Sequence, residues 1–335
     1  MKRKKKDELV SKGTVMSALL MLLVTAVALT TATYAWFTAN ANVSIDSLDV
    51  NVAASNGLQI SVDGVNWKSQ ISTTDITTAA YQGNTNQLPT AIVPVSTDLT
   101  LTSDGKLEMF KGAVDESKGT PILTSTATGE AAGTTGDFIA FDVFLQVSQK
   151  TKIQLATGAD VTKKTDSSDT GLKNAARVCF VEQGHAAVGT AASSYITLNG
   201  NTASNKKLWE PNADAHTDAA IQAAQNTYNK TITSGDMNAT STYLGLTSAF
   251  DLEQNAALTT ENATFVTSVA PEIRTKAGRG ETTANDIFEV EAGVTKVRIY
   301  CWVEGQDYDC ENNASGTDIS YKINLTKVDS ATTTT

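Results

Sequence analysis

The chain has 335 residues, of which 19% are charged, and its formal net charge is −10. The first 35 residues carry a net +4, which leaves −14 on the remainder. A body this acidic lacks the clustered Lys and Arg that phosphate binding needs, which argues against a nucleic-acid partner. About 300 residues beyond the N-terminal segment suffice for one large domain with its own core.

The N-terminal segment predicts export. Residues 2–6 form a cationic block, and residues 15–37 contain no charge. A basic head, an apolar middle and a small-residue exit at Ala35 or Ala41 are typical of a cleaved signal peptide, here residues 1–35. The uncharged run is also long enough to remain as a membrane anchor. As a third alternative, Lys12-Gly13 followed by the apolar run is similar to the leader of a type IV pilin. We expect an extracellular or cell-surface protein that contacts the membrane only through this segment.

Period-two alternation of apolar and polar residues predicts half-buried strands at the start of the body. Val43 and Ile45 alternate with polar neighbours, and Leu48, Val50 and Val52 resume the alternation after a slip of one residue. Such a slip predicts a β-bulge or a bend within the strand.

The same alternation predicts strands in the middle and at the end of the chain. The apolar sets are Phe141, Val143, Leu145 and Val147; Ile153 and Leu155; Val178 and Phe180; Val297, Ile299, Cys301 and Val303; and Ile319, Tyr321, Ile323 and Leu325. The last two sets are joined by a polar loop and are therefore predicted to form a hairpin. Arg298, Tyr300 and Trp302 would then lie on the opposite face of their strand.

The segment from about 184 to 285 has a different composition, rich in Thr, Asn, Ser and Ala. Within it, residues 212–229 place Ala and Tyr at loosely helical spacing, which predicts a weak amphipathic helix. Because no second dense apolar pattern occurs there, we interpret the segment as a mixed loop and helix insertion. The prediction is one β-sandwich domain over residues 36–330, with a frayed tail at 331–335.

Three cysteines, Cys179, Cys301 and Cys310, are too few for a disulfide-built scaffold. A bond between Cys301 and Cys310 would close a ten-residue loop. Such a bond contributes roughly 2–3 kcal/mol in the chain-entropy model. Pairing of Cys179 with Cys301 across neighbouring strands is equally open.

Catalytic patterns are missing from the sequence. His185 and His216 are the two histidines, both in polar surroundings, and neither H-E-x-x-H nor G-x-S-x-G occurs. We expect both histidines to be surface residues and the protein not to be an enzyme; a secreted hydrolase is the least favoured class.

Four carboxylates fall within eight residues near the C-terminus: Glu304, Asp307, Asp309 and Glu311. Hard oxygen ligands suit Ca²⁺, which makes this cluster a weak calcium candidate. The alternative is a solvated turn in which Asp side chains cap main-chain amides. The spacing and the glycine of an EF-hand are missing, which favours the turn, and we predict no other cofactor.

Two stretches carry a family resemblance. Thr33-Tyr34-Ala35 followed by Trp36-Phe37, with a first strand Ser47-Leu48-Asp49-Val50, resembles the TasA/camelysin group of exported Gram-positive proteins, whose leaders are removed by an endospore-type signal peptidase. Residues 298–310, RIYCWVEGQDYDC, are similar to a stretch of clostridial surface proteins with the same leader. The resemblance implies a jelly-roll-like antiparallel β-sandwich whose subunits self-associate into surface or biofilm-matrix fibres.

In such fibres the N-terminal strand of one subunit can fill an open groove in the next, because an exposed sheet edge gains a ladder of backbone hydrogen bonds. The resemblance implies that the anchors of the donated strand are Trp36, Phe37, Val43, Ile45, Leu48 and Val50. The alternative is an ordinary first strand of its own domain. We therefore expect a secreted fibre subunit, or else a cell-surface adhesin that binds a glycan or a host protein through segment 184–285.

Overall fold

The computed structural model describes residues 43–53, 57–115, 122–165, 168–200, 205–237, 243–252, 264–275, 285–310 and 318–329. The predicted leader, both cleavage positions (Ala35 and Ala41), Trp36, Phe37, Glu311 and the tail lie outside these ranges.

The strands of the described part, in chain order, are β1 (Val43–Val52), β2 (Gln59–Ser61), β3 (Gln70–Ser72), β4 (Ala91–Ile92), β5 (Val95–Ser96), β6 (Met109–Asp115), β7 (Ile122–Thr128), β8 (Ile139–Val147), β9 (Thr151–Leu155), β10 (Asp160–Lys163), β11 (Ala176–Ala187), β12 (Lys206–Glu210), β13 (Tyr243–Leu246), β14 (Phe250–Leu252), β15 (Val266–Val269), β16 (Ile273–Arg274), β17 (Asn285–Val290), β18 (Gly293–Val303) and β19 (Ile319–Asp329). The α-helices among the described residues are α1 (Thr73–Thr78), α2 (Ala192–Tyr195) and α3 (Asp218–Tyr228), and a 3-10 turn spans Leu172–Ala175.

Two large sheets pack face to face. Strands hold 47% and helices 10% of the described residues, so the predicted all-β, sandwich-like fold is confirmed. The first sheet has the order β17-β9-β19-β1-β3, with β10 also paired to β19 and β4 to β1. The second has the order β16-β12-β11-β18-β8-β2. Two of the pairings, β1 with β19 and β12 with β16, are parallel.

One apolar core lies between the two sheets, and every alternating set predicted from the sequence contributes to it. Phe141 and Val143 of β8 and Ile299 of β18 come from the second sheet, and Ile323 and Leu325 of β19 come from the first. Alternation confines one side of each strand to this core, because successive side chains of a strand point to opposite faces.

The first strand is part of this sandwich. In β1, Val43, Leu48 and Val50 are fully buried. The strand runs parallel to β19, with Val50 opposite Ile323, and the register shifts between Ile45 and Ser47. The bulge predicted from the slip in alternation is therefore confirmed.

The predicted hairpin between residues 297–303 and 319–325 is wrong. β18 lies between β11 and β8 in the second sheet, whereas β19 lies between β9 and β1 in the first. Every residue of β18 is buried, which requires a central position with both faces of the sheet covered. The chain between the two strands therefore passes from one sheet to the other, and its described residues 304–310 and Asp318 are the crossover segment.

A third layer covers the outer face of the second sheet. It includes a four-stranded sheet, β14-β7-β6-β5, a two-stranded sheet, β13-β15, and the helix α2. Val95 of β5, Tyr243 of β13 and Val269 of β15 pack with Tyr300 and Trp302 of β18 in a second apolar cluster. The part of the outer face around Tyr300 and Trp302 is consequently covered by apolar side chains.

Segment 184–285 supplies strands as well as a helix. β12 extends the second sheet beside β11, with Leu208 opposite Cys179, and β16 follows it at the sheet edge. Helix α3 lies inside the predicted 212–229 range and begins where the Thr217 hydroxyl accepts a hydrogen bond from the Ala220 amide. The described parts of this segment contribute strands to the second sheet and to the third layer. The prediction of an insertion made only of loops and a helix did not include these strands.

The three cysteines, all within the described residues, are buried, and no disulfide joins any two of them. Cys301 lies opposite Val178 and faces the core between the sheets, whereas Cys179 lies opposite Tyr300 and faces the third layer. The predicted Cys179–Cys301 pair is therefore wrong, because the two thiols are on opposite faces of one sheet. Cys301 and Cys310 share the inner core, but the predicted bond between them is not formed.

Candidate functional site

Buried charged residues line the outer face of the second sheet in two groups. The outer-face cluster consists of Tyr81, Glu130, Asp142, Lys296 and Arg298. The crossover cluster consists of Arg177, Glu210, Glu304, Asp307, His216 and Asp309. The alternation of β18 directs Lys296 and Arg298 outwards, and Glu304 follows the last residue of that strand.

Arg298 is the centre of the outer-face cluster. Its guanidinium binds Glu130 through two hydrogen bonds, Nε to Oε1 at 2.9 Å and Nη2 to Oε2 at 2.8 Å. Nη1 also donates to Asp142 Oδ1 at 2.6 Å. All three side chains are nearly fully buried, and two-point pairing of this kind fixes the orientation of both partners.

Lys296 closes the cluster towards α2. Its ammonium group lies 3.0 Å from Asp142 Oδ2 and donates to the main-chain oxygens of Ile196 and Leu198 at 3.0 and 2.8 Å. Three acceptors match the three N–H donors of the ammonium group, so each of its hydrogens has a partner.

Asp142 remains ionised in this cluster. Burial opposes its charge, but Arg298 and Lys296 hold the pKa of its carboxyl below the usual value. The hydroxyl of Tyr81 donates to Asp142 Oδ2 at 2.6 Å, and burial together with this carboxylate raises the pKa of Tyr81. The cluster therefore consists of fixed, opposite charges suited to holding structure or a ligand.

A pocket of about 320 Å³ opens above the outer-face cluster. Asp142, Lys296 and Arg298 form part of its lining. The other lining residues are Gln82, Gly83, Thr85, Asp104, Lys106, Gln183 and residues 196–199. The volume is at the lower end of small-molecule sites, which are typically clefts with a few convergent polar groups.

Arg177 is the cation of the crossover cluster. It is fully buried, and its Nη2 lies 2.5 Å from Asp307 Oδ2 and 3.0 Å from Glu210 Oε1. Nη1 donates to the main-chain oxygen of Ala176 at 3.0 Å. Burial opposes its charge, but Glu210, Asp307 and Glu304 raise the pKa of the guanidinium.

Glu304 lies beside this cation and is also fully buried. It accepts hydrogen bonds from Trp302 Nε1 and from the amide of Gln306, each at 3.0 Å. Burial raises the pKa of its carboxyl to about 7, although these hydrogen bonds and Arg177 act in the opposite direction.

The acidic residues predicted as a calcium candidate or a solvated turn have other partners. Glu304, Asp307 and Asp309 are all buried, so the predicted solvation of the turn is wrong for them. The predicted capping of main-chain amides is present, since Asp307 Oδ1 accepts from the Asp309 amide at 2.8 Å. Asp307 binds Arg177, and Asp309 binds His216, so their oxygens are engaged by protein donors. Among the described residues, no group of three or more His, Cys, Asp or Glu side chains is arranged to hold a metal ion.

The two histidines differ in position. His216 is buried, so the expectation that it is a surface residue is wrong. His185 is partly buried, with Nδ1 3.2 Å from the Thr295 hydroxyl. Sequence spacing gave no signal for His216, because its partner Asp309 is 93 positions away. Arg177 and Arg298 did carry a signal, since each interrupts a dense apolar strand, and buried charges require partners.

Comparison with family models, with curated proteins and with solved structures gives no significant match. No helix in the part of the chain that the structure describes is long and apolar enough to cross a membrane.

Proposed function

We propose that the protein is a secreted structural subunit that associates with copies of itself, by β-strand addition, into an extracellular surface or biofilm-matrix fibre. It acts through shape and association and has no catalytic activity. The observation that carries this proposal is the parallel pairing of β1 and β19, the first and last strands of the described residues.

Nearly the whole domain separates these two strands in sequence. β1 enters the first sheet, and the chain then crosses to β2 in the second sheet. Withdrawal of β1 would leave the apolar edge of β19 open, with Ile323 and Leu325 uncovered. The β1 strand of a second copy could fill that edge with the same contacts, since exchange of an identical element preserves every pairing.

Open exchange of this kind produces a chain of subunits when the rotation between copies does not close a ring. The acidic remainder of the protein, at −14, keeps unassembled subunits apart through mutual repulsion. The β1 anchors Val43, Leu48 and Val50 provide the apolar burial that offsets this repulsion once the strand is inserted.

A cysteine pair across the two strands tests the exchange. Asn51 lies opposite Asn324 in the register, and Asn51 Nδ2 donates to Asn324 Oδ1 at 3.1 Å. In the Asn51→Cys/Asn324→Cys variant, oxidation of isolated subunits should lock β1 in place and prevent fibres. Oxidation after assembly should link neighbouring subunits into a ladder on a non-reducing gel.

The Asn51→Cys variant alone is the matched control and should assemble like the unmodified protein. Fibres in which the double variant forms only intramolecular disulfides would contradict strand exchange. Persistent monomers of the mature protein in electron micrographs, across all salt and pH conditions, would reject the fibre proposal itself.

A second candidate is a cell-surface binding module, which the 320 Å³ pocket favours. One wall of that pocket is formed by residues 196–199 of segment 184–285, and its charged groups can both donate and accept hydrogen bonds. We propose that such a module would bind a small polar ligand, such as a sugar unit of a glycan.

Because β12 and β16 belong to the second sheet, deleting segment 184–285 would disrupt the sandwich. A cleaner test is Thr197→Trp, which fills the mouth of the pocket, with Val188→Trp at an exposed position as the control. A saccharide array should show a ligand whose affinity falls at least tenfold in Thr197→Trp only. An array without any bound sugar would reject this candidate.

A further inference from the structure

His216 connects two parts of the chain that are far apart in sequence. Its Nδ1 lies 2.6 Å from Asp309 Oδ2 in the crossover segment, and its Nε2 lies 3.2 Å from the main-chain oxygen of Asp236. The side chain is 2% exposed. Both ring nitrogens therefore face oxygen atoms within a dry site.

The contacts favour a doubly protonated ring. The Asp236 carbonyl can only accept, so Nε2 must carry a hydrogen. The remaining proton lies between Nδ1 and Asp309. Asp309 Oδ1 already accepts hydrogen bonds from the Thr217 amide at 3.1 Å and from Asn174 Nδ2 at 3.2 Å. Burial raises the pKa of the Asp309 carboxyl, but these two donors stabilise its anion and so favour the proton on the imidazole.

Asp309 thus brings three parts of the fold together. Asn174 belongs to the 3-10 turn before β11, and Thr217 is the N-cap of α3. Gly171, at φ 87°, allows this approach, because a Cβ there would overlap the Thr217 methyl group.

Within the described residues, carboxylates and one main-chain oxygen approach the ring. Asp309 and Asp307 approach from the crossover segment, and Asp236 contributes its main-chain oxygen. Arg177 reaches the ring only through Asp307, which it binds directly. Burial opposes the charge of His216, but the Asp309 hydrogen bond and the two carboxylates raise its pKa to about 9.

We propose that His216 is an imidazolium at neutral pH that latches residues 212–237, including α3, onto the crossover segment, and that alkaline pH releases this segment while the sandwich core stays folded. The latch is at full strength where the ring is protonated in both the folded and unfolded chain. Its contribution declines as pH rises from about 6.5 and is lost above about 9.

The chain contains two histidines, so nuclear magnetic resonance of ¹⁵N-labelled imidazoles resolves each ring. The His185→Gln variant assigns the spectrum and is the matched control. We expect His216 to be doubly protonated at pH 7.5, with a titration midpoint near 9. A ring with a single proton at pH 7.5 would overturn the proposal.

Hydrogen exchange then tests whether residues 212–237 are released from the crossover segment at alkaline pH. Protection factors of the amides in residues 212–237 should fall at least tenfold between pH 7 and 10. The amides of β8 are the reference that removes the intrinsic pH dependence of exchange. His216→Gln should show this loss already at pH 7, whereas His185→Gln should match the unmodified protein. If the His216 ring deprotonates while the protection of residues 212–237 stays constant, the latch does not exist. The titration of the unmodified protein decides this even if His216→Gln fails to fold.

Discussion

The two faces of β18 are equally buried but are stabilised in different ways. On the inner face, Val297, Ile299, Cys301 and Val303 pack between the two sheets. On the outer face, Lys296, Arg298, Tyr300 and Trp302 are covered by the third layer, and the first two bind carboxylates. Apolar packing is non-directional and tolerates substitutions that preserve volume. A buried ion needs a specific partner at a specific distance, so the outer face should be far less tolerant.

The largest effect is expected from Arg177→Met. This change removes the cation and leaves Asp307 and Glu210 buried without it. Removing one partner of a buried pair typically costs about 3–5 kcal/mol, because the remaining charge is uncompensated. Urea unfolding monitored by circular dichroism should show this loss at pH 7.

A compensated variant separates charge from volume. In Arg177→Met/Asp307→Asn/Glu210→Gln the uncompensated carboxylates are gone, so most of the lost stability should return. If the single and triple variants were equally unstable, the packing of Arg177 and not its charge would hold the outer face together.

The inner face gives the second prediction, a loss of about 2–5 kcal/mol for Ile299→Ala, from lost transfer energy and the cavity left behind. Ile299 is fully buried among apolar neighbours. The loss should therefore be the same at pH 5 and pH 9, in contrast to any change in the crossover cluster. Urea midpoints at the two pH values measure it, with Ile299→Val as a mild control; a pH-dependent loss would contradict the separation of the two faces.

The sequence predicted the inner face and missed the outer one for a physical reason. Alternation along Val297–Val303 and Ile319–Leu325 is a local pattern, and it assigned those residues to the core correctly. The partners of the outer face, such as Glu130 for Arg298, are 168 positions away and follow no local period. The same limit explains the wrong hairpin, because alternation shows which face is buried but not which strand lies alongside.

Glu304→Gln gives the third prediction. Since burial raises the pKa of Glu304 to about 7 from 4.5, the folded protein keeps a proton that the unfolded chain releases. The carboxyl therefore lowers stability as pH rises from about 4.5 to 7, by an amount on the order of 2–3 kcal/mol. The amide cannot ionise, so the variant should lack this pH dependence.

Unfolding in urea at pH 5 and pH 8 measures the difference. Relative to the unmodified protein, Glu304→Gln should gain stability on going from pH 5 to pH 8. The variant is less stable at both pH values, since Glu304 accepts from both Trp302 and Gln306 and the amide has only one acceptor oxygen, so the test is the change between the two pH values. Parallel pH profiles for the two proteins would show that Glu304 is already ionised at pH 5.

The smallest effect is expected where an ion pair lies at the surface. Lys68 Nζ is 2.5 Å from Asp75 Oδ1, as close as Arg177 is to Asp307, but the Lys68 side chain is 47% exposed. Water screens such a pair, so Lys68→Ala should change stability by less than about 1 kcal/mol, and 0.5 M salt should remove most of that change. Asp75 also completes the capping box of α1 with Ser72, which Lys68→Ala leaves intact. A loss comparable to that of Arg177→Met would mean that the distance between charges, and not their burial, decides the strength of ion pairs in this protein.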